Sequence, residues 1–460
     1  MTASLAEQAN RLISEGRHRE ALEVMAAFGD PAGNAPLLEN IGVCHYRLGD
    51  HETALSFLRR AHRAAPSDAR TMNNIALISS EIGAAEIIDE TSLTPETLND
   101  LGLNAYFRGD FDEARRRLEA AIALKPDHFA AWHNLADLIE PEETGAWLAR
   151  IEGLAPERPE DRAAIGYLRA QLLDQAGDHK GAIASWSEAA AARRASFAAP
   201  FNADSHNALI DGVIAASTTE SLRRLQTGSV DDRRYVFIVG LPRSGSTLTG
   251  RIIGGDPRLV DLGERRVLAG EVVRHLNEIG GPHGAGFAQL DRARAISIYD
   301  VYRRELPEGG VFLDKYLENT IFLGLIWAAF PNARIIHTRR DRFDCLFSCY
   351  TKNFAMGNEW SYHPDDLRAY AEATDRLMAH WRQVLPPAIL LDSDYETLTQ
   401  DPDAARRRLA LHAGLDPDIA AERGHQAGGV VRTASAKQVR QGVKRRDGSP
   451  YEAYRALIDL

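Results

Sequence analysis

YVFIVGLPRSGSTLTGRIIG, residues 235–254, is the stretch on which the reading of this 460-residue chain turns. Its first six residues are apolar and partly β-branched, the composition of a short strand buried on both faces. The chain then enters a glycine-containing loop and continues as an amphipathic helix. Gly240 and Gly245 bracket four residues, and Ser246 and Thr247 follow. That is the frame of a phosphate-binding loop, with Ser246 where the frame has its lysine. Backbone N–H groups of such a loop, together with the N-terminus of the following helix, cradle an anion. The missing lysine is the one that bridges the terminal phosphates of a nucleoside triphosphate, and no strand-end aspartate for magnesium can be assigned. The loop therefore suits a phosphate or sulfate ester better than ATP, which disfavours a nucleotide kinase.

Upstream of this strand the chain repeats itself. Gly49 is followed by Ala54, Leu58, Ala61 and Pro66 at offsets of five, nine, twelve and seventeen, and Gly109 by Ala114, Leu118, Ala121 and Pro126 at the same offsets. Gly177 keeps Ala182, Trp186 and Ala189, and Gly16 keeps Ala21 and Met25. Gly42 and Gly102 stand seven residues before two of these glycines, with Tyr46 and Tyr106 between. Such spacing describes helix pairs: small residues where the helices cross closely, larger apolar ones filling the gap, and proline stopping the second helix. The pattern resembles the tetratricopeptide repeat, whose period is about 34 residues. It runs over roughly residues 2–195, as counted on the sequence. Gly42 and Gly102 lie 60 residues apart rather than two full periods, so the repeat around 71–93 is expected to be shortened or irregular. Arrays of this kind leave a concave face and usually serve binding.

Charge follows the same division. The chain holds 54 Lys and Arg against 65 Asp and Glu, a net of −11. Residues 1–195 hold 20 basic and 31 acidic residues, which is the whole of that imbalance; the remaining 34 and 34 cancel. A chain-wide nucleic-acid footprint is therefore absent, and no nucleic-acid partner is expected. The 44% hydrophobic and 26% charged content excludes disordered and fibrous classes. No apolar run approaches the roughly 18–20 residues of a membrane span, and the first residues lack the basic start and apolar core of a secretory signal. Three cysteines, Cys44, Cys345 and Cys349, are too few for a disulfide framework. Cys345 and Cys349 are read as small packing residues on one helix face. The expected compartment is the cytoplasm. No His, Cys and Asp cluster has metal-ligand spacing, so no metal is expected.

The run GLPRSGSTLT, residues 240–249, resembles the 5′-phosphosulfate loop of sulfotransferases that use 3′-phosphoadenosine 5′-phosphosulfate (PAPS). Among these, the second half is most similar to the protein-tyrosine sulfotransferases, over residues 235–445, because several elements recur in order. The resemblance implies that Arg243, Ser244, Gly245, Ser246 and Thr247 hold the cofactor's 5′ end, with Arg243 also catalytic. It implies that Glu264, in DPRLVDLGERRV and 21 residues after Arg243, is the catalytic base. Lys315 in FLDKYLENT matches the catalytic lysine, and Arg340 with Ser348 matches the pair that holds the 3′-phosphate. Lys352 matches a further basic contact and Tyr395 the tyrosine–glutamate motif. Ser435, Arg440 and Lys444, in TASAKQVRQGVKRR, match the final cofactor loop. One glutamate stands where the family has two adjacent.

The residue types suit sulfuryl transfer, which passes through a loose, in-line transition state much as phosphoryl transfer does. An acceptor hydroxyl must lose a proton to a carboxylate or histidine within hydrogen-bond reach, the task given to Glu264. Charge on the departing nucleotide asks for fixed cations, supplied by Lys315 and Arg243. A phosphate of nearly two charges favours the rigid fork of an arginine with a hydroxyl donor, as in Arg340 and Ser348. His337 and His380 are read as structural. The expected organisation is an all-α tetratricopeptide-like solenoid over 1–195, a linker with one helix over 196–232, and an α/β, phosphate-loop-like sulfotransferase domain with a central parallel sheet over 233–460. The expected acceptor is tyrosine of a peptide or protein, bound in part by the repeat face. The rivals are a carbohydrate, lipid or small-molecule hydroxyl, or an inactive scaffold.

Overall fold

The computed structural model describes all residues except 1, 15–16, 30, 32, 67, 83–92, 229–231, 281–282, 305, 308, 331, 355–356 and 420–447. The chain divides by packing into two compact units, Met1–Glu140 and Pro141–Leu460. In the first unit, helices Ala35–Arg47 and His51–Ala64 pair, as do Pro95–Arg108 and Phe111–Leu124. The repeated glycines mark the crossings. A Cβ on Gly42 would sit 2.8 Å from Leu58 Cγ and 3.1 Å from the Ala54 carbonyl. On Gly102 it would sit 2.8 Å from Leu118 Cγ and 3.2 Å from the Ala114 carbonyl. The glycine–leucine offsets thus record one close helix contact made twice. Each second helix is also capped alike, because Asp50 accepts from the Thr53 N–H at 3.2 Å and Asp110 from the Glu113 N–H at 3.3 Å.

The third helix pair, Pro159–Gln175 and His179–Ala195, shares the repeat pattern but packs within the second unit. Its Tyr167 hydroxyl donates to the Tyr350 carbonyl at 3.2 Å, and Trp186 meets Phe347 edge-on with ring centroids 5.6 Å apart. The stretch expected to be a linker with one helix instead forms two, Ala203–Ala216 and Thr219–Leu225. Their apolar stripes bury Ile210, Val213, Leu222 and Leu225 in the main core, which makes them structural elements of this unit.

That core surrounds a sheet of five parallel strands: β1 (Arg234–Gly240), β2 (Leu259–Asp261), β3 (Val311–Asp314), β4 (Arg334–Arg339) and β5 (Leu390–Asp394), in the order β2-β3-β1-β4-β5. β1 buries both faces, as its unbroken apolar run requires. Tyr235, Phe237 and Val239 join the core that includes Ile326, Phe330 and Trp381. Val236 and Ile238 pack with Ile252, Ile253, Leu409 and Ala410 on the other side. The chain leaves β1 outward to β2, returns through β3, and crosses to β4. The loop after β1 therefore lies where the strand order reverses, the place at which open parallel sheets bind ligands. No helix among the described residues is long and apolar enough to cross a membrane.

Candidate functional site

The loop after β1 is pinned on its sheet side. A Cβ on Gly240 (φ 135°) would sit 2.5 Å from the Thr338 carbonyl of β4, so only glycine lets the strands stay this close. Ser244 donates its hydroxyl to the Leu241 carbonyl at 2.6 Å and lies 2.6 Å from Thr338 Oγ1. Its side chain is thereby committed to the loop and the sheet, and its N–H also donates to the Leu241 carbonyl, at 3.2 Å. The Pro242 carbonyl accepts from the thiols of Cys345 at 3.1 Å and Cys349 at 3.3 Å, so the two buried cysteines brace the loop as well as pack. Arg243, at φ 70°, is the only non-glycine residue with positive φ among the described residues. Ser246 and Thr247 open the helix Ser246–Ile253, the end at which helical N–H groups face outward.

Four of the expected residues converge beside this loop. Arg243 donates through Nε to Ser348 Oγ at 2.8 Å, and the Tyr451 hydroxyl reaches the same oxygen at 3.3 Å. Arg340 donates to the Arg243 carbonyl at 3.4 Å and to Asp344 Oδ2 at 3.2 Å. Its guanidinium lies 4.8 Å from the ring centre of Tyr395 and 5.8 Å from that of Tyr451. Tyr395 in turn presses on the loop, since a Cβ on Gly245 would sit 2.8 Å from its Cδ2. A cavity of about 250 Å³ opens here between Arg340, Asp344, Tyr395, Glu396, Ser449 and Arg455. Arg340 Nε is buried with no hydrogen-bond partner among the described residues. A buried guanidinium with an orphaned donor, flanked by aromatic rings and a cavity, fits an anion carried on a planar ring system. The helix Arg342–Tyr350, which holds Ser348, is fixed from behind by Tyr167 and Trp186.

Glu264 and Lys315, the expected base and cation, lie near each other, with the lysine stem against Gly250 of the helix Ser246–Ile253. Asp261 closes β2, and its Oδ1 accepts from the Gly263 N–H at 2.9 Å. Its Oδ2 pairs with the Lys315 ammonium. The Lys315 N–H donates to the Gly263 carbonyl at 2.8 Å, tying the turn before Glu264 to the end of β3. Gly250 leaves a groove for the lysine stem, because a Cβ there would sit 3.0 Å from Lys315 Cδ. Glu264 is solvent-accessible, yet protein crowded around its carboxyl weakens hydration and raises its pKa. The positive charges of Lys315 and Arg266 oppose that rise, and the nearby Glu318 adds to it. Beneath them Asp314 is fully buried, accepting from the Tyr302 hydroxyl and the Tyr316 N–H, each at 2.8 Å. Burial pushes its carboxyl up to about 6.

Lys352 lies just past this helix, its N–H bonded to the Cys349 carbonyl at 3.1 Å. Ser435, Arg440 and Lys444 lie outside the described residues. His337 sits 2.8 Å from Asp392, and His380 bonds the Ser217 carbonyl at 2.9 Å, both within the scaffold. The sequence reading missed Asp261, Asp344, Ser449, Tyr451 and Arg455. Ser449 and Arg455 both reach Asp344, beneath Arg340.

Residues 235–418 match the sulfotransferase family, and residues 7–69 and 99–143 match the tetratricopeptide repeat. The repeat match skips 70–98, which takes in the stretch 71–93 expected to be shortened or irregular. An uncharacterized protein of Aquifex aeolicus (strain VF5) is 25% identical over 365 residues, 76% of this chain and 47% of its own length. The chain thus spans about half of that relative. The photosystem I assembly protein Ycf3 of Sorghum bicolor is 30% identical over 125 residues, 26% of this chain and 66% of its own length. Among solved structures, the sulfotransferase domain of the Synechococcus PCC 7002 olefin synthase is 20% identical, with 51% of this chain and 92% of that one covered at a TM-score of 0.37. Sulfotransferase STF1 from Mycobacterium tuberculosis H37Rv is 16% identical, with 63% and 94% covered at a TM-score of 0.30.

Proposed function

We propose, taking residues 235–418 as a sulfotransferase-family domain behind tetratricopeptide repeats, that the chain transfers a sulfuryl group from PAPS to an acceptor hydroxyl. Bound PAPS supplies the activated sulfuryl group. The loop 240–247 and Arg243 hold the 5′ end, and Arg340, Ser348 and Tyr395 hold the 3′-phosphate and its nucleoside. Glu264 takes the proton of the acceptor hydroxyl, and its raised carboxyl suits a base that must also let the proton go. Lys315, tied to the same turn, offers a fixed cation for the charge on the departing nucleotide. The observation that carries this reading is the buried Nε of Arg340, which has no partner among the described residues, beside the cavity. The backbone bond that ties Lys315, after β3, to the turn before Glu264 speaks against an inactive scaffold.

The acceptor we favour is a tyrosine hydroxyl of a peptide or protein, with the repeats binding another part of that polypeptide. One observation favours a second reading, an uncharged sugar, lipid or small-molecule hydroxyl. The arginines available to greet an acidic peptide are already engaged: Arg339 with Asp392 and Asp394, Arg342 with Glu372 and Asp375, Arg265 over Tyr302 and Arg266 over Tyr316. A cytoplasmic location is part of the proposal, supported by three buried, unpaired cysteines. Incubation of the full chain with radiolabelled PAPS and a lysate, followed by identification of the labelled species, tests both readings. Label in protein tyrosine supports the first, label in a small molecule the second, and no transfer at all overturns the proposal.

A further inference from the structure

We propose that Asp261 is a positioning residue that sets the spacing between Lys315 and Glu264, an inference that rests on the sulfotransferase reading above. One carboxylate is shared between the two. Its Oδ1 accepts the Gly263 N–H and shapes the turn that presents Glu264, while its Oδ2 holds the Lys315 ammonium. The strand register explains how this is possible. Asp261 pairs across the sheet with Leu313, so the side chain at the end of β2 lies beside the chain as it turns out of β3 at Lys315. The Lys315 backbone closes the unit by donating to the Gly263 carbonyl. Gly250 leaves room for the lysine stem, since a Cβ there would sit 3.0 Å from Lys315 Cδ.

Folding should depend little on this ion pair, although the Lys315 side chain is only 15% exposed. The Asp261 side chain is 49% exposed, and an ion pair so open to water adds little to stability. Its value lies in geometry. A flexible lysine stem has four rotatable bonds, and fixing its ammonium in place of letting it wander is the kind of orientation on which transfer rates depend. Asp261 touches neither donor nor acceptor in this scheme; it acts through Lys315 and through the turn.

The test uses the full chain and its own lysines. The chain has only six: Lys125, Lys180, Lys315, Lys352, Lys437 and Lys444. Competitive reductive methylation read peptide by peptide therefore reports Lys315 against five internal controls. Asp261→Asn keeps an acceptor for Gly263 but loses the ion pair, and should raise the labelling rate of Lys315 alone by about threefold or more. Asp261→Ala, which also frees the turn, should do the same and lower kcat about tenfold or more with the Kd of adenosine 3′,5′-bisphosphate within about twofold. Asp261→Asn should fall between that variant and the natural chain. Unchanged Lys315 labelling in both variants would overturn the positioning role even if the bisphosphate binds normally. Failure of the bisphosphate to bind the natural chain, with Lys315 labelling still controlled by Asp261, would instead remove the sulfotransferase reading and leave only the structural coupling.

Discussion

Arg243 and Ser348 share a hydrogen bond of 2.8 Å across 105 residues of chain, so the phosphate loop and the helix behind Arg340 are one rigid cradle. The bond joins the two ends of a proposed ligand: the loop that would take a 5′-phosphate and the serine that would take a 3′-phosphate. A ligand with both phosphates should therefore bind far better than one with a 5′ chain alone. Adenosine 3′,5′-bisphosphate at a hundred times its Kd should stabilise the chain by about 2.7 kcal/mol. ATP should do much less. Thermal shift measurements with both nucleotides check this, and equal shifts would discard the 3′-phosphate assignment.

Arg340→Ala should weaken the bisphosphate by at least about 1.4 kcal/mol, or tenfold. The loss should be confined to ligands that carry the 3′-phosphate, leaving adenosine 5′-phosphate nearly unaffected. Titration calorimetry of both ligands against the variant separates recognition of the phosphate from collapse of the pocket. A large loss for both would mean that Arg340 mainly holds up Tyr395 and Asp344.

Glu264→Gln should lower kcat by about 10² or more while bisphosphate affinity stays nearly unchanged, because a general base acts on the acceptor. The pH profile carries a sharper expectation. A base works deprotonated, so kcat/KM should rise with pH, through a midpoint above the ordinary 4.5 because crowding around the carboxyl disfavours its charge. The glutamine variant should lack that limb. Retention of the limb in the variant would place the base elsewhere.

Asp314 gives a stability signature independent of activity. Its folded carboxyl sits at about 6 against an ordinary 3.8, so the folded chain holds this proton more tightly than the unfolded one. Stability on its account is complete below 3.8 and is lost as pH rises to about 6. The loss is on the order of 3 kcal/mol, at about 1.4 kcal/mol for each unit of separation. Asp314→Asn should flatten that part of the curve in denaturant titrations run from pH 4 to 7. An unchanged slope would show that the carboxyl keeps its charge in the fold.

Much of this architecture is legible from local chemistry, and the remainder is not for identifiable reasons. The buried run at 235–240 and the glycine loop announce a strand feeding a phosphate site because each feature is complete within twenty residues. The repeat is legible because Gly42 with Leu58, and Gly102 with Leu118, are the same contact at the same offset. What such offsets encode is how two helices cross, not what their outer faces meet. The pair around Gly177 therefore reads as another repeat, although its Tyr167 and Trp186 are spent on Tyr350 and Phe347. Asp261 is invisible for a different reason: one exposed strand-end carboxylate among 65 acidic residues acquires meaning only once β2 lies beside β3. Tyr451 and Ser449 reach the Arg340 region only through tertiary folding, across some hundred residues.

That reassignment of the third helix pair leads to the last prediction. A chain cut to begin at Pro141 should fold and bind adenosine 3′,5′-bisphosphate, whereas one cut to begin near residue 233 should not. The shorter chain loses Tyr167 and Trp186, which back the Ser348 helix, and also Ile210, Val213, Leu222 and Leu225 from the main core. Each large apolar side chain is worth roughly 1.5–3 kcal/mol when buried, and a folded domain has only about 5–15 kcal/mol in hand. Six such losses, roughly 9–18 kcal/mol together, are as large as that whole margin. Circular dichroism melts and bisphosphate titrations of the two chains decide the matter, and a cooperative melt with normal binding from residue 233 onward would refute it. The chain from Pro141 then serves the acceptor question. If residues 1–140 hold part of a polypeptide acceptor, their removal should raise the acceptor KM and leave kcat and bisphosphate binding alone; unchanged acceptor kinetics would favour the small-molecule hydroxyl.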